Sequence, residues 1–208
     1  MVALETDHVS WQMDTVRVDH ETAFYENAAH LLEIGRRNLA FLGSAEDAPL
    51  YCHEVRGIQR ALSKYGGTLS IIKNNNFTVM DGYHSVKVLL QEAAMPDGII
   101  CANDQVAAGA LNACSETGIC IPSEVAITGF GGVALSIVTT PAITTTVTPK
   151  YQMGLKASEF LFKRIEAYEG PPRHEMLKAQ LAIRNSTLRS AAKSLDAIVL
   201  DDRNIIYK

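Results

Sequence analysis

The sequence lacks an excess of positive charge, a long apolar run and a leader-like N-terminus. Its 208 residues carry a net charge of −4, so it has no basic footprint for direct binding to nucleic acid. No apolar stretch reaches the roughly 20 residues that cross a bilayer, and the N-terminus lacks the basic start and apolar core of a signal peptide. We therefore expect a cytoplasmic protein with no membrane partner.

Clustered metal ligands and catalytic motifs are also missing. The four cysteines stand apart, without a C-x-x-C pair or a histidine at zinc-ligand spacing. The GFGG stretch at 129–132 falls short of the dinucleotide fingerprint, and neither a P-loop nor a G-x-S-x-G elbow is present. Nothing in the sequence pairs Asp97, Asp104 or Glu124 as acid and base. These absences favour a binding protein over an enzyme, and we expect no metal and no cofactor.

What the sequence does contain is an alternation of short apolar runs with segments of helical period. The runs predict buried strands at 38–43, 69–73, 97–102 and 124–130. Strand and helix units recur about every thirty residues, the size of a βαβ crossover. The pattern predicts an α/β fold with a Rossmann-like parallel sheet and helices on both faces.

The alternation of strand and helix patterns ends after Phe130. The Thr-rich half of 131–150 predicts an extended crossing segment, after which Thr148 is the expected N-cap of a helix with Pro149 at its first position. The stretch LKAQLAI at 177–183 alternates like a single strand with one buried face. The residues expected to be buried by the helix are Tyr151, Leu155, Ser158, Phe162 and Ile165.

Ligands of open parallel sheets bind beyond the carboxyl ends of the strands. Asn103 and Asp104 occupy such a position, as do Gly129–Gly132 and the stretch from Asn74 to Phe77. For the Asn-Asp pair, helix capping is an open alternative, because both residue types are preferred caps. For Phe77, the alternative is packing in the core or a loop.

Several separated motifs resemble the effector-binding domain of the lactose/galactose repressor (LacI/GalR) family. They are PDGIICANDQVAAGALNACSETGICIPSEVAITGF, TTPAITTTVTP, MGLKASEFLFKRIE and LAIRNSTL, preceded by VRVDHETAFYENAAHLLEIGRRNLAFLGS and NNNFTVMDGYHSV. The resemblance covers roughly residues 2–188. It implies a periplasmic-binding-protein-like fold, whose two lobes clamp a small molecule, usually a sugar or a nucleobase. It also implies a homodimer that binds DNA through a helix-turn-helix head.

The resemblance implies one near-complete lobe and a remnant of the other. The expected division is a first-lobe remnant at 1–18, the C-terminal lobe at 19–147, a helix returning to the first lobe at 148–170, the last strand of the C-terminal lobe at 171–188 and an unassigned tail at 189–208. We expect the head and most of the first lobe to be absent from this chain, which should leave its ligand binding weak. The helix at 148–170 and the strands of the remnant at 1–18 should then lack most of their sheet partners, so that their apolar faces are exposed unless another chain covers them.

The resemblance also assigns candidate ligand-binding residues. Asn103 matches a hydroxyl-binding asparagine, Phe77 an aromatic residue against the ligand, and Asp19 an aspartate at the lobe crossing; Asp104 adjoins Asn103. Three further positions depart from the family pattern. They are Glu54, where the family has arginine, Gly131, where it has a carboxylate, and Thr148, where it has glutamine.

The expected function is ligand sensing, with a sugar as the effector, within a LacI-type transcriptional regulator. Two alternatives are a sugar-binding protein of a transport system and a free-standing dimerisation lobe. The lack of a signal-peptide pattern counts against the first alternative, and analytical ultracentrifugation tests the second.

Overall fold

The computed structural model describes residues 1–5, 13–43, 49–74, 76–92, 95–188, 198–199 and 206–207. Contacts divide the chain into two units, each assembled from separate segments. The larger unit comprises His20–Val147 and Gln180–Ala191, and the smaller one comprises Met1–Asp19, Thr148–Ala179 and Ala192–Lys208.

Helices and strands alternate through most of the described residues. The helices are α1 (His20–Glu33), α2 (Pro49–Tyr65), α3 (Val79–Gln91), α4 (Asp104–Glu116), α5 (Leu135–Val138) and α6 (Lys150–Ile165). The strands are β1 (Val2–Leu4), β2 (Asp14–Val18), β3 (Asn38–Gly43), β4 (Thr68–Lys73), β5 (Gly98–Cys101), β6 (Ala126–Gly131), β7 (Thr144–Val147), β8 (His174–Leu177), β9 (Gln180–Ala182), β10 (Ile198–Val199) and β11 (Ile206–Tyr207). No helix of the described residues is long and apolar enough to cross a membrane.

The larger unit is built on a six-stranded sheet in the order β4-β3-β5-β6-β7-β9. Its first five strands run parallel, and β9 pairs antiparallel with β7 at the edge. The four predicted strands are confirmed, with small shifts at their ends. From β3 the chain moves outward to β4 and then returns past β3 to β5, so the strand order reverses between β3 and β5. Such a reversal opens a crevice at the carboxyl edge of a parallel sheet.

Helices cover both faces of this sheet, as the sequence predicts. α1 and α2 share one core cluster with β3 and β5, which includes Phe24, Leu31, Phe41, Ile58 and Ile100. α3 and α4 share the cluster on the other face, which includes Val86, Leu89, Val106, Leu111 and Ile127. The clusters draw alternate residues of the strands because successive side chains of a strand point to opposite faces.

Two glycines allow the backbones of α3 and α4 to contact each other directly. A Cβ atom added to Gly109 would lie 1.8 Å from the carbonyl oxygen of Val79, and one added to Gly82 would lie 2.0 Å from that of Val106. Neither carbonyl can move without disturbing its own helix. The two positions therefore fix the packing of the helices whose first turns border the carboxyl edge.

The smaller unit contains a three-stranded parallel sheet in the order β1-β2-β8, with α6 packed against it. Asp14 is fully buried and binds Arg164 at 2.9 Å and Arg173 at 2.7 Å. The hydrogen bond from Arg164 is the main reason that the pKa of Asp14 lies well below its ordinary value, with Arg173 acting in the same direction. The guanidinium of Arg173 also lies 4.2 Å from the ring centroid of Phe160.

The exposed face of α6 differs from the prediction. Its helical period is confirmed, but the stripe that the period assigned to the interior is exposed, with Phe162 64% and Ile165 69% exposed. Exposure of this stripe agrees with the expectation for a first-lobe helix that lacks most of its sheet partners. The buried residues are Met153 and Phe160, on the opposite side. That side faces the sheet because Arg164 of α6 binds Asp14 of β2. Phe160, also on α6, packs against the guanidinium of Arg173. The helix begins at Lys150, one residue after the predicted start. Pro149 therefore occupies the N-cap position expected for Thr148, and its side chain makes no capping hydrogen bond.

The segment 171–188, expected to be one strand of the C-terminal lobe, contributes to two sheets. β8 pairs in parallel with β2 of the smaller unit, and β9 pairs antiparallel with β7 of the larger one. The chain changes sheet at Lys178 and Ala179. In the tail, Ile198–Val199 and Ile206–Tyr207 form an antiparallel pair, and the rest of 189–208 lies outside the described residues.

Candidate functional site

Asn103 stands directly after β5, at the crevice between β3 and β5. Its side-chain Oδ1 accepts a hydrogen bond of 2.8 Å from the backbone N–H of Val106, which makes it the N-cap of α4. Its Nδ2 donates a second hydrogen bond of 3.0 Å to the carbonyl oxygen of Phe77. The capping interpretation is therefore confirmed. The same amide also joins the loop after β5 to the loop after β4.

Phe77 is held in a left-handed backbone conformation that residues other than glycine rarely adopt. Its φ is 56°, and such strained residues persist only where their surroundings enforce them. On one side its carbonyl accepts from Asn103. On the other, Thr78 and Asp81 form a capping box that begins α3, with Thr78 N–H donating to Asp81 at 2.8 Å. The half-buried ring packs against both core clusters.

Asp104 is buried, and its carboxylate organises the glycine turn after β6. Oδ2 accepts a hydrogen bond of 2.7 Å from the backbone N–H of Val133, and Oδ1 accepts one from the hydroxyl of Thr145. A Cβ atom added to Gly131, whose φ is 118°, would lie 3.7 Å from Oδ2. Asp104 thus shapes the wall of the crevice through bonds inside the unit.

Glu54 lies on α2 and is 6% exposed. Nδ1 of His20, at the start of α1, is 3.7 Å from its Oε1, which exceeds ordinary hydrogen-bond distance. No hydrogen-bond donor of the described residues reaches its Oε2. The ring of His20 in turn lies 4.9 Å, centroid to centroid, from the ring of Phe130 near the end of β6.

Five of the seven candidate residues belong to the larger unit. Asn103 touches Phe77, Asp104 adjoins Gly131, and Glu54 lies beside His20, all within the larger unit. The remaining two candidates, Asp19 and Thr148, belong to the smaller unit. There the backbone N–H of Asp19 donates to the carbonyl of Leu177, and the carbonyl of Thr148 accepts from Lys150.

One neighbour of the candidates, His20, was not singled out by sequence reasoning. It is the first residue of α1 and belongs to no recognisable motif, so only the packing of α1 on α2 brings it to Glu54. A second neighbour, Phe130, lies inside the stretch Gly129–Gly132 that the end of the predicted strand placed at this sheet edge. Sequence reasoning predicted a position for that stretch but assigned Phe130 no role of its own.

Two of the four cysteines are buried and two are exposed. Cys101 and Cys114 are buried, and burial raises the pKa of Cys114 to about 11 and that of Cys101 well above its usual value. Cys52 and Cys120 are exposed, free thiols. Among the described residues, no three His, Cys, Asp or Glu side chains group closely enough to hold a metal ion.

Comparison with known proteins identifies relatives of the chain. The sequence profile of the periplasmic binding protein-like domain matches residues 28–187. Catabolite control protein A of Priestia megaterium is 30% identical over 155 residues, which cover 73% of this chain and 47% of that protein. The chain spans about half the length of the curated relatives it matches.

Solved structures extend the likeness to the fold. A LacI-type transcription regulator from Bifidobacterium animalis subsp. lactis superposes with a TM-score of 0.84 at 25% identity, covering 90% of this chain and 72% of that one. A sugar-binding transcriptional regulator of the LacI family from Escherichia coli, complexed with phosphate, gives a TM-score of 0.73 at 26% identity. That match covers 84% of this chain and 63% of the other.

Proposed function

Because the chain belongs to the LacI family of transcriptional regulators, through its periplasmic-binding-protein-like domain, we propose that it senses a small-molecule effector for such a regulator. The effector in this proposal is a sugar, since the solved relative from Escherichia coli is described as sugar-binding. The chain performs no catalysis in this role. The regulator acts in the cytoplasm, where its DNA lies.

The observation that carries the proposal is the double use of the Asn103 side chain at the crevice. One amide caps α4 and also holds the strained Phe77 ahead of α3. A pocket for a small ligand needs a few fixed polar groups beside apolar or aromatic surface. Asn103 and Phe77 provide both, and an amide can donate to and accept from the hydroxyl groups of a sugar.

The same arrangement gives a route from ligand to conformation. A ligand that contacts Asn103 or Phe77 acts on the first turns of α3 and α4, which Gly82 and Gly109 lock together. Binding then favours whichever position of this locked helix pair, moving as one body, the ligand fits better. In the complete regulator, that bias reaches DNA through a homodimer and a helix-turn-helix head outside these 208 residues.

Saturation-transfer-difference NMR on the 208-residue chain tests this proposal, because it detects weak binding. A panel of neutral, amino and acidic monosaccharides at millimolar concentration should contain at least one binder. Phe77→Ala should reduce the binding free energy of that sugar by more than it reduces the free energy of unfolding. Asn112→Ala, which removes an exposed asparagine of α4, is the matched control and should leave binding unchanged.

Two results would contradict the proposal. One is that no sugar of the panel gives a saturation-transfer signal. The other is that binding occurs but Phe77→Ala and the Asn112 control affect it equally, which would place the ligand elsewhere. Sedimentation velocity on the same samples measures the proposed homodimer independently of any ligand.

A further inference from the structure

The carboxylate of Glu54 is buried without the partners that a buried charge normally has. Its side chain is 7% exposed, and among the described residues no donor reaches Oε2, while Nδ1 of His20, which carries a charge only when the ring is protonated, lies 3.7 Å from Oε1. Buried polar atoms of native proteins are almost always hydrogen-bonded. An exception of this kind calls for an explanation.

The chain has cations close by, but it uses them elsewhere. Arg56 and Arg60 lie on the same helix as Glu54, yet both reach to Glu21 on α1, with Arg60 2.7 Å from its carboxylate. Glu21 is partly exposed and needs this pairing less than a buried group does. A buried charge that is neither paired nor fully hydrogen-bonded costs stability. Folding alone therefore does not account for Glu54.

Phenylalanine rings adjoin His20, the neighbour of the carboxylate. His20 stands between Glu54 and Phe130, and Phe24 stacks on Phe130 with ring centroids 5.4 Å apart. Phe130 is the last residue but one of β6, so it lies near the carboxyl edge of the sheet, where the crevice opens. A buried negative charge beside aromatic faces attracts a cation, because the ring quadrupole and the carboxylate act with the same sign.

We propose that Glu54 binds a protonated amino group of the effector, so that the effector is an amino-substituted sugar rather than a neutral or acidic one. The inference rests on the proposed function, because it assigns a ligand class to the same sheet edge. The amino group donates hydrogen bonds to the oxygen that no donor of the described residues reaches, and the carbon skeleton lies against Phe130, which is partly exposed.

Isothermal titration calorimetry on the 208-residue chain tests the inference with matched ligands. The series are glucosamine, glucose and glucuronate, the three corresponding galactose compounds, and the three corresponding mannose compounds. In at least one series the amino sugar should bind about tenfold or more tighter than its neutral partner, the factor expected for a hydrogen bond to a charged group. The acidic member should bind more weakly than both.

Two variants separate the local charge from the overall charge. Glu54→Gln should bring the amino and neutral sugars of that series to equal affinity. Glu21→Gln removes one charge from the neighbouring helix and should preserve the preference. Neutral or acidic sugars that bind as tightly as amino sugars would overturn the inference and leave the sensing role in place. No binding in any series would overturn both.

Thermal unfolding without ligand gives a second, independent readout. If Glu54 is retained for a ligand, Glu54→Gln should leave Tm unchanged or raise it by about 2–4 °C, the shift expected for a small gain in a chain of this size. A fall of several degrees would show that Glu54 stabilises the fold through His20, and would overturn the inference.

Discussion

Replacing Asn103 in two ways separates the two hydrogen bonds of its side chain. Asn103→Ala removes both the cap of α4 and the bond to Phe77. Loss of a cap costs about 0.5–2 kcal/mol, and loss of a neutral hydrogen bond costs about 0.5–1.5 kcal/mol. The alanine variant should therefore lose roughly 1–3.5 kcal/mol of unfolding free energy. Asn103→Ser keeps a capping oxygen and should lose only the share of the Phe77 bond.

Urea unfolding followed by circular dichroism measures both variants. The serine variant should lie between the wild type and the alanine variant, about 1 kcal/mol below the wild type. Amide hydrogen exchange near Phe77 should accelerate in both variants, because the carbonyl that holds this strained residue loses its donor. Exchange at Phe77 that stays at the wild-type rate in both would refute the reasoning, as would a serine variant less stable than the alanine variant.

Four further measurements address the rest of the fold. Asp14→Asn leaves two arginines without their buried carboxylate and should lower the free energy of unfolding in urea by about 3–5 kcal/mol. Because the pKa of Asp14 is lowered in the folded state, the wild type should lose this stabilisation as pH falls below about 4. A variant that loses less than about 1 kcal/mol of unfolding free energy would contradict the geometry. Gly109→Ala should destabilise by at least about 3 kcal/mol because its Cβ meets a carbonyl oxygen, whereas Gly154→Ala, with open space around it, should stabilise by up to about 1 kcal/mol. Burial lowers the pKa of His30 below 6.5, so stability should fall as pH drops from about 6.5, and His30→Gln should show less of this fall. A thiol reagent at pH 8 should label the two exposed cysteines in the folded chain and all four after denaturation; rapid labelling of a third would contradict the burial.

Four strands of the larger sheet could be predicted from the sequence because they are short apolar runs, and three of them, β3, β5 and β6, are buried over most of their length. Residues 38–43 carry that signal in every position but the first. The buried face of α6 could not be found in the same way. Its period fits two stripes, and the choice between them depends on Asp14, Arg164 and Arg173, which come together only when distant segments meet.

Part of the candidate site was visible in the sequence for a similar reason. Asn103 follows a strand and precedes a helical pattern, so its capping role is local and readable. The proximity of Glu54 and His20 depends on the packing of two helices, and no short-range pattern encodes it. Alternation along 177–183 likewise could not show that Leu177 ends a strand of one sheet while Gln180–Ala182 pairs in the other.

The pairing of β2 with β8 has a consequence for the order of events during synthesis. Thr15 pairs with His174, and a ribosome adding about 5–20 residues per second needs roughly 8–32 seconds to translate the residues between them. β3 to β7 all emerge within that interval, so much of the larger sheet can form while β2 still lacks one of its neighbours. The apolar residues Val16 and Val18 of β2 are buried in the finished fold. On the nascent chain, they form a segment that a chaperone can hold until translation reaches β8.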